Sequence, residues 1–277
     1  RAKITENTGL LMMTGDDFKG AELLLHHFNI VKKEPDISFL GNLLNKFSFI
    51  PYENATKIIK SDSNPDFYED FRLPAEVVTD YLKSGTGGTC FSLVNLFKTL
   101  LDTCGFQSDL ILADRTYGEN THTAIIVNFK DDIYLADPGY LIFTPLLLSR
   151  EVAVTYRTGF SDILIEPVLK GTFFDVYSLN KDGIKKFRYR LKNEKVKKDI
   201  FFDAWRKSFE FEMMNYLVIT KASKGEHIYI RDNYVQYSTY SNRIKKHIDA
   251  REMVEITSGL GMSGEVIGKA LKILGKI

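Results

Sequence analysis

The chain predicts an α+β fold, with helices gathered first and antiparallel strands after them. Three patterns carry that reading. Residues 1 to about 85, and then 91–101, bear apolar side chains at helical spacing. From Ser108 to Tyr240, short runs rich in β-branched and aromatic residues alternate with turn signals. Between the two regions lies one glycine-rich stretch, Gly85-Thr86-Gly87-Gly88-Thr89-Cys90-Phe91, which can turn tightly and let backbones approach closely.

In order, Phe18, Leu23, Leu24, Phe28 and Val31 form the first stripe. His26 and His27 fall within it. Adjacent helical side chains point about 100° apart, a poor geometry for a shared metal, so both read as structural. The second helix runs from Asp36 to about Ser48, capped by Asp36 or Ser38. Phe39, Leu40, Leu43, Leu44 and Phe47 are its inner face, and Pro51 breaks the chain after it. Ser61–Arg72 is polar and carries Pro65, so a surface loop is expected. Pro74–Lys83 and Phe91–Leu101 are the next helices.

Ser108–Ala113 is the first long strand, Thr116–Asn120 a turn, and Thr121–Phe129 and Ile133–Asp137 the arms of a hairpin turning at Asp131-Asp132. An irregular loop is expected from Gly139 through Thr144-Pro145. Asp162–Ile165, Phe173–Ser178 and Lys186–Arg190 suggest a sheet or partial barrel. Ile200–Phe209, around Trp205, reads as helical or mixed. Strands follow at Tyr216–Lys221, His227–Ile230 and Tyr234–Tyr240. Val266, Ile267, Ala270, Leu271 and Leu274 mark a closing helix. With no repeat, low-complexity tract or long linker, one compact body is expected.

The 37 basic and 36 acidic residues leave a net charge of +1, which gives no global pull toward nucleic acid or an anionic membrane. No apolar run reaches transmembrane length, and Arg1-Ala2-Lys3 opens without the apolar core of a secretory signal, so no membrane partner is expected. The two cysteines, Cys90 and Cys104, share one helical region. Fourteen residues of helix separate them by roughly 21 Å, too far to bridge. A reducing, cytoplasmic setting follows. The chain has neither HExxH nor CxxC, and its five histidines are scattered, so no metal site is expected.

Cys90 draws attention because it opens a helix behind a glycine elbow. Orphan N–H groups and the positive end of the helix dipole favour a thiolate there. His122 begins one arm of the hairpin and Asp137 ends the other. If residues summing to about 259 face each other across the hairpin, these two stand opposite. A sulfur nucleophile, an imidazole base and an orienting carboxylate are what acyl transfer through an activated thiol requires. Asp137 precedes Pro138, which holds it in an extended conformation suited to a strand end.

These residues resemble the arylamine N-acetyltransferase family. Its Gly-Gly-X-Cys-Phe turn matches Gly87-Gly88-Thr89-Cys90-Phe91, and its strand histidine matches His122 in Thr121-His122-Thr123-Ala124. Its Asp-X-Gly-aromatic segment matches Asp137-Pro138-Gly139-Tyr140, and its Pro-aromatic-Glu-Asn matches Pro51-Tyr52-Glu53-Asn54. The likeness is clear over residues 36–148. It implies a papain-like cysteine fold in three parts: a helical bundle (residues 1–88), a β-barrel carrying the triad (89–200) and an α/β lid (201–277). It also implies ping-pong chemistry in which Cys90 takes an acetyl or other acyl group from acyl-CoA, His122 acts as base and Asp137 orients it. An arylamine, hydrazine or related amine then accepts the group. Tyr52 and Tyr140 would help line the acceptor pocket. Acetyl-CoA would be a co-substrate rather than a resident cofactor, and the protein a monomer or homodimer.

The chain departs from the family pattern at three places. Thr86 stands where the family has Arg, Ser92 where it has Glu two residues after the cysteine, and Val94 where it has Asn, with Asn95 one place late. The two missing charges are opposite, so their joint loss need not strand a buried ion. These departures keep open an amide synthase, or a transglutaminase- or peptidase-like thiol enzyme. A catalytically silent binding module is the third reading.

Overall fold

The computed structural model describes residues 14–63, 71–223 and 225–277. Helix α1 (Gly15–His27) starts at a capping box, in which Thr14 and Asp17 each accept from the other's backbone N–H. Its buried face is Asp17, Gly20, Ala21, Leu24 and Leu25, while Phe18, Leu23 and Val31 of the expected stripe are exposed. The packing partner decides this. Gly20 sits against the backbone of Ala75, and Asp17 Oδ1 accepts the Ala75 N–H at 3.1 Å, so the small side of α1 turns inward. His26 and His27 are exposed on the last turn.

Helix α2 (Ile37–Phe47) is capped by Asp36, whose carboxylate accepts the Phe39 N–H at 2.6 Å, and it buries the face read from its spacing. A short strand, β1 (Tyr52–Glu53), and three helices follow: α3 (Ala55–Ser63), α4 (Pro74–Ser84) and α5 (Cys90–Thr103). The expected surface loop Ser61–Arg72 is corrected at both ends. Ser61–Ser63 finish α3, and Phe71 and Arg72 are buried; residues 64–70 of that loop lie outside the described residues. Leu93, Val94, Leu96, Phe97, Leu100 and Leu101 of α5 share one core with Leu24, Leu40, Phe47 and Val77 of α1, α2 and α4. Fully burying each such side chain is worth about 1.5–3 kcal/mol.

The chain then builds an antiparallel sheet from β2 (Ser108–Arg115), β3 (Gly118–Phe129), β4 (Asp132–Asp137), β5 (Ile142–Leu147), β6 (Val154–Arg157), β7 (Asp162–Val168), β8 (Phe173–Leu179) and β9 (Lys185–Lys192). Their order is β5-β4-β3-β2-β9-β8-β7-β6. Ile111, Ile126, Leu135, Leu146, Ile165, Phe174 and Tyr189 fill its inner face. Tyr156 of β6 donates to the Leu147 carbonyl of β5 at 2.7 Å, drawing the two outer strands together, and the sheet forms a nearly closed barrel. The expected loop through Thr144-Pro145 is instead strand β5. Proline is tolerated there because β5 is an outer strand of the order, with one side free of the ladder.

The hairpin register also needs correction. Val127 pairs with Tyr134 and Phe129 with Asp132, so the turn is Lys130-Asp131 and lies one residue earlier than expected. His122 therefore does not stand directly opposite Asp137. Because the shift moves the pairing by two positions, an even number, both side chains still point to the same face.

After the barrel come α6 (Lys198–Lys207) and strands β10 (Val218–Ser223), β11 (Glu226–Arg231), β12 (Tyr234–Ser238) and β13 (Arg243–His247). With β1 they form a second sheet in the order β1-β10-β11-β12-β13. Helices α7 (Ala250–Gly259) and α8 (Gly264–Ile273) cover it. β13 and α7 carry too few apolar residues to show in the sequence pattern, and every residue of β13 is exposed. Among the described residues, no helix is long and apolar enough to cross a membrane.

Candidate active site

The elbow before Cys90 is shaped by close approaches that only glycine permits. Gly85 ends α4 at φ 64°, in the left-handed region. A Cβ on Gly87 would lie 1.9 Å from the Pro51 carbonyl oxygen. The Gly88 carbonyl accepts the Glu53 N–H at 3.0 Å, so β1 runs alongside the turn. The turn delivers Cys90 as the first residue of α5, and Thr89 before it makes no side-chain cap. Cys90 is 8% exposed, whereas His122 and Asp137 are fully buried.

His122 lies in β3, and its ladder partner on β2 is Ala113. Its Nε2 stands 2.7 Å from Asp137 Oδ2. The Cys90 thiol interacts electrostatically with the same ring. Asp137 is held from two further directions. Oδ1 accepts the Tyr140 N–H at 2.9 Å, which closes a single turn of 3-10 helix over Pro138–Tyr140. Oδ2 accepts the Tyr189 hydroxyl at 2.7 Å. A Cβ on Gly139 would lie 2.8 Å from Cys90 Cβ, so this turn packs directly onto the start of α5.

The electrostatics follow from that geometry. Burial pushes the Cys90 thiol up. The interaction with His122 and the positive charges of Arg115 and Lys57 oppose it, and the net direction is down. Burial alone would lower His122 and the Arg115 charge lowers it further, but Asp137 outweighs both and the imidazolium is favoured. The two directions agree, since both favour a thiolate–imidazolium pair. Cys104 has only Lys32 to oppose burial, and Glu22 works against that charge. Burial pushes its thiol up to about 11, and both cysteines are free.

Tyr140 is half-buried, with its ring 6.2 Å from that of His122 and 5.2 Å from that of Tyr189. Tyr52 is also half-buried. Its hydroxyl lies 3.9 Å from Met213 Sδ, and its ring packs between the helical core and the aromatic cluster of Phe71, Phe91, Phe201 and Trp205.

Three further side chains belong to the site and are not found by sequence reading. Tyr189 holds Asp137. Its only sequence signal is the inward alternation Phe187-Tyr189-Leu191 between charged residues. Arg115 Nη2 lies 3.2 Å from His122 Nδ1; its signal is a basic residue ending a largely apolar strand, next to Asp114. Arg72 is buried behind the elbow. It donates to the Gly87 carbonyl, to Thr56 Oγ1 at 2.5 Å and to Asp80 at 2.6 Å, and stands 3.7 Å from fully buried Glu53. A buried cation thus supports the elbow even though Thr86 is neutral. It comes from 14 residues earlier in the chain. Ser92 donates to the Thr89 carbonyl at 3.2 Å, while the buried Thr86 hydroxyl has no hydrogen-bond partner. Among the described residues, no three histidines, cysteines or carboxylates gather as a metal site.

The N-acetyltransferase family model matches residues 36–163. No curated protein matches the chain in sequence. Solved arylamine N-acetyltransferases share its fold nearly end to end. The enzyme from Mycobacterium abscessus superposes with a TM-score of 0.77 at 15% identity, covering 95% of this chain and 99% of that chain. The one from M. tuberculosis gives 0.74 at 18% identity, with 89% and 97% covered. That from Salmonella typhimurium gives 0.73 at 16% identity, with 96% and 100% covered.

Proposed function

We propose that this chain, which matches the N-acetyltransferase family model over residues 36–163 and has the fold of arylamine N-acetyltransferases, transfers an acyl group from acyl-CoA to an aromatic amine, hydrazine or related amine through acyl-Cys90. His122 takes the thiol proton at Nδ1, since Nε2 is engaged by Asp137. The thiolate attacks the thioester carbonyl, and the carbon–sulfur bond to CoA breaks. The departing CoA thiolate takes the proton back from His122. An amine then attacks acyl-Cys90, His122 removes its proton, and the amide leaves with the Cys90 thiol restored. Asp137 fixes the tautomer and stabilises the imidazolium. First-turn N–H groups of α5 are suited to hold the oxyanion, because a helix start presents unsatisfied donors.

The observation supporting this reading is the convergence of one sulfur, one imidazole and one carboxylate in a site nearly closed to solvent. In the same reading Tyr140 and Tyr52 line the acceptor side, residues 1–88, 89–200 and 201–277 act as bundle, barrel and lid, and the protein works in the cytoplasm. Intact-mass analysis after incubation with acetyl-CoA tests the first half-reaction. One acetyl adduct is expected on wild type and on Cys104→Ser, and none on Cys90→Ala. No adduct on wild type, with acyl transfer to or from peptides instead, would move the assignment to a transglutaminase- or peptidase-like enzyme.

A further inference from the structure

Arg115 closes β2 and faces the triad. A bulge between Ala113 and Arg115 interrupts the pairing with β3 and re-aims the end of the strand. The guanidinium meets three groups. Nη2 lies 3.2 Å from His122 Nδ1, Nη1 lies 3.4 Å from the Tyr117 hydroxyl, and the guanidinium carbon lies 5.7 Å from the centre of the Tyr140 ring. No carboxylate forms a salt bridge with it among the described residues. Its Nε is sealed from solvent and has no hydrogen-bond partner. A cation held this way beside a nucleophile is unusual, since most enclosed guanidinium groups are neutralised by a carboxylate.

The contact with Nδ1 specifies the tautomer of the ring whenever His122 is neutral. A guanidinium only donates, so Nδ1 then accepts, and the ring proton sits on Nε2 toward Asp137. This is the tautomer from which His122 can take a proton from Cys90. When that proton arrives, Nδ1 becomes a donor and Arg115 loses its acceptor. Its charge then lies beside a thiolate and beside an imidazolium, attracted by the first and repelled by the second.

We propose that Arg115 is a positioning residue of this site, selecting the tautomer of neutral His122 whose Nδ1 accepts and lending its charge to the Cys90 thiolate once the proton has moved. This rests on Cys90, His122 and Asp137 acting as one unit. No group enters or leaves in the step: the thiol proton moves to Nδ1 and the electron pair stays on sulfur. The other titratable or charged groups around the pair are Asp137 from β4, Tyr140 from the turn after it, Tyr189 and Arg188 from β9, Tyr52 from β1, Lys57 from α3 and Tyr117 from the β2–β3 turn. Of these, Lys57 is committed elsewhere, donating to the Ser208 hydroxyl at 2.6 Å and to the Ser208 carbonyl at 2.8 Å. Arg188 likewise donates to Ser178 Oγ at 2.7 Å, which leaves Arg115 as the cation in contact with the imidazole of the pair.

The test is the pH profile of Cys90 alkylation by iodoacetamide, read by peptide mass in wild type, Arg115→Lys and Arg115→Met. Arg115→Met should raise the midpoint by about one pH unit, and so slow alkylation about tenfold near neutrality, with the rate recovering at high pH. Arg115→Lys, which keeps the charge, should shift it by less than half as much. A Met variant with the wild-type midpoint overturns the proposal. So does a Lys variant that matches Met, or a uniform loss of rate at every pH. Alkylation needs no acyl donor, so this outcome stays distinct from the acetyl-adduct experiment. Wild-type protein that never takes acetyl from acetyl-CoA would end the transfer reading while leaving the Arg115 comparison readable.

Discussion

At the residue scale, opposing effects act on the Cys90 sulfur. Enclosure alone would keep it a thiol, and the charges around it outweigh enclosure. Cys104 is buried, and the nearby Lys32 charge does not offset that enclosure, so its pKa is pushed up to about 11. A lowered pKa means more thiolate at any pH below the ordinary thiol value. At neutral pH, Cys90 should thus alkylate at least tenfold faster than Cys104, with the gap narrowing as pH rises toward 11. Peptide-resolved labelling kinetics would check this. Asp137 is the second residue on which the site turns. Its carboxylate accepts from Tyr140 N, the Tyr189 hydroxyl and His122 Nε2. Asparagine would have to aim an amide N–H at one of those donors. Asp137→Asn should slow CoA release roughly 10²–10⁴-fold and lower stability by about 1–3 kcal/mol. A stopped-flow assay of free thiol, paired with urea unfolding, separates the two effects.

At the element scale, the start of α5 and the turn after β4 are pressed together. The contact is glycine-dependent: a Cβ on Gly139 would lie 2.9 Å from Cys90 Cα as well as 2.8 Å from its Cβ. Gly139→Ala should push the turn off α5 and move Asp137 with it. A cost of about 1–3 kcal/mol and a large loss of acylation are expected. Gly268 in α8 offers the contrast. Nothing lies within 4 Å of a Cβ built there, and Gly268→Ala should stabilise the helix by about 0.5–1 kcal/mol. Thermal melts of the two variants should move in opposite directions. Element-scale packing also explains where the reading of α1 failed. Its apolar residues outnumber those that pack, and the choice of face was made by Ala75 on α4. The hairpin register failed by one residue of turn position, yet His122 and Asp137 still meet because strand faces depend only on whether a shift is even or odd.

At the scale of the whole molecule, the site lies where the helical layer, the barrel and the second sheet meet. β1 belongs to the second sheet, pairing with β10, and also bridges to Gly88 of the elbow. Asn54 fastens this junction. Its amide donates to the Met213 and Tyr216 carbonyls at 2.6 and 2.8 Å, and its oxygen accepts the Val218 N–H at 2.8 Å. Asn54→Ala would strip all three bonds from a fully buried position, at an expected cost of about 2–4 kcal/mol in urea unfolding. It should also loosen the elbow, because β1 would lose its anchor to β10.

Local chemistry is what the sequence by itself determined: helices before strands, a cysteine at a helix start, and a histidine and an aspartate on the two arms of one hairpin. Spacing along the chain governs these directly, because each depends on neighbours only a few residues away. The tertiary structure alone decided which distant groups serve them. Arg72 reaches the elbow from before α4, Tyr189 reaches Asp137 from 52 residues away, and Arg115 reaches His122 across a bulge. Burial selects such partners by shape and charge in space, and separation along the chain carries no trace of that selection.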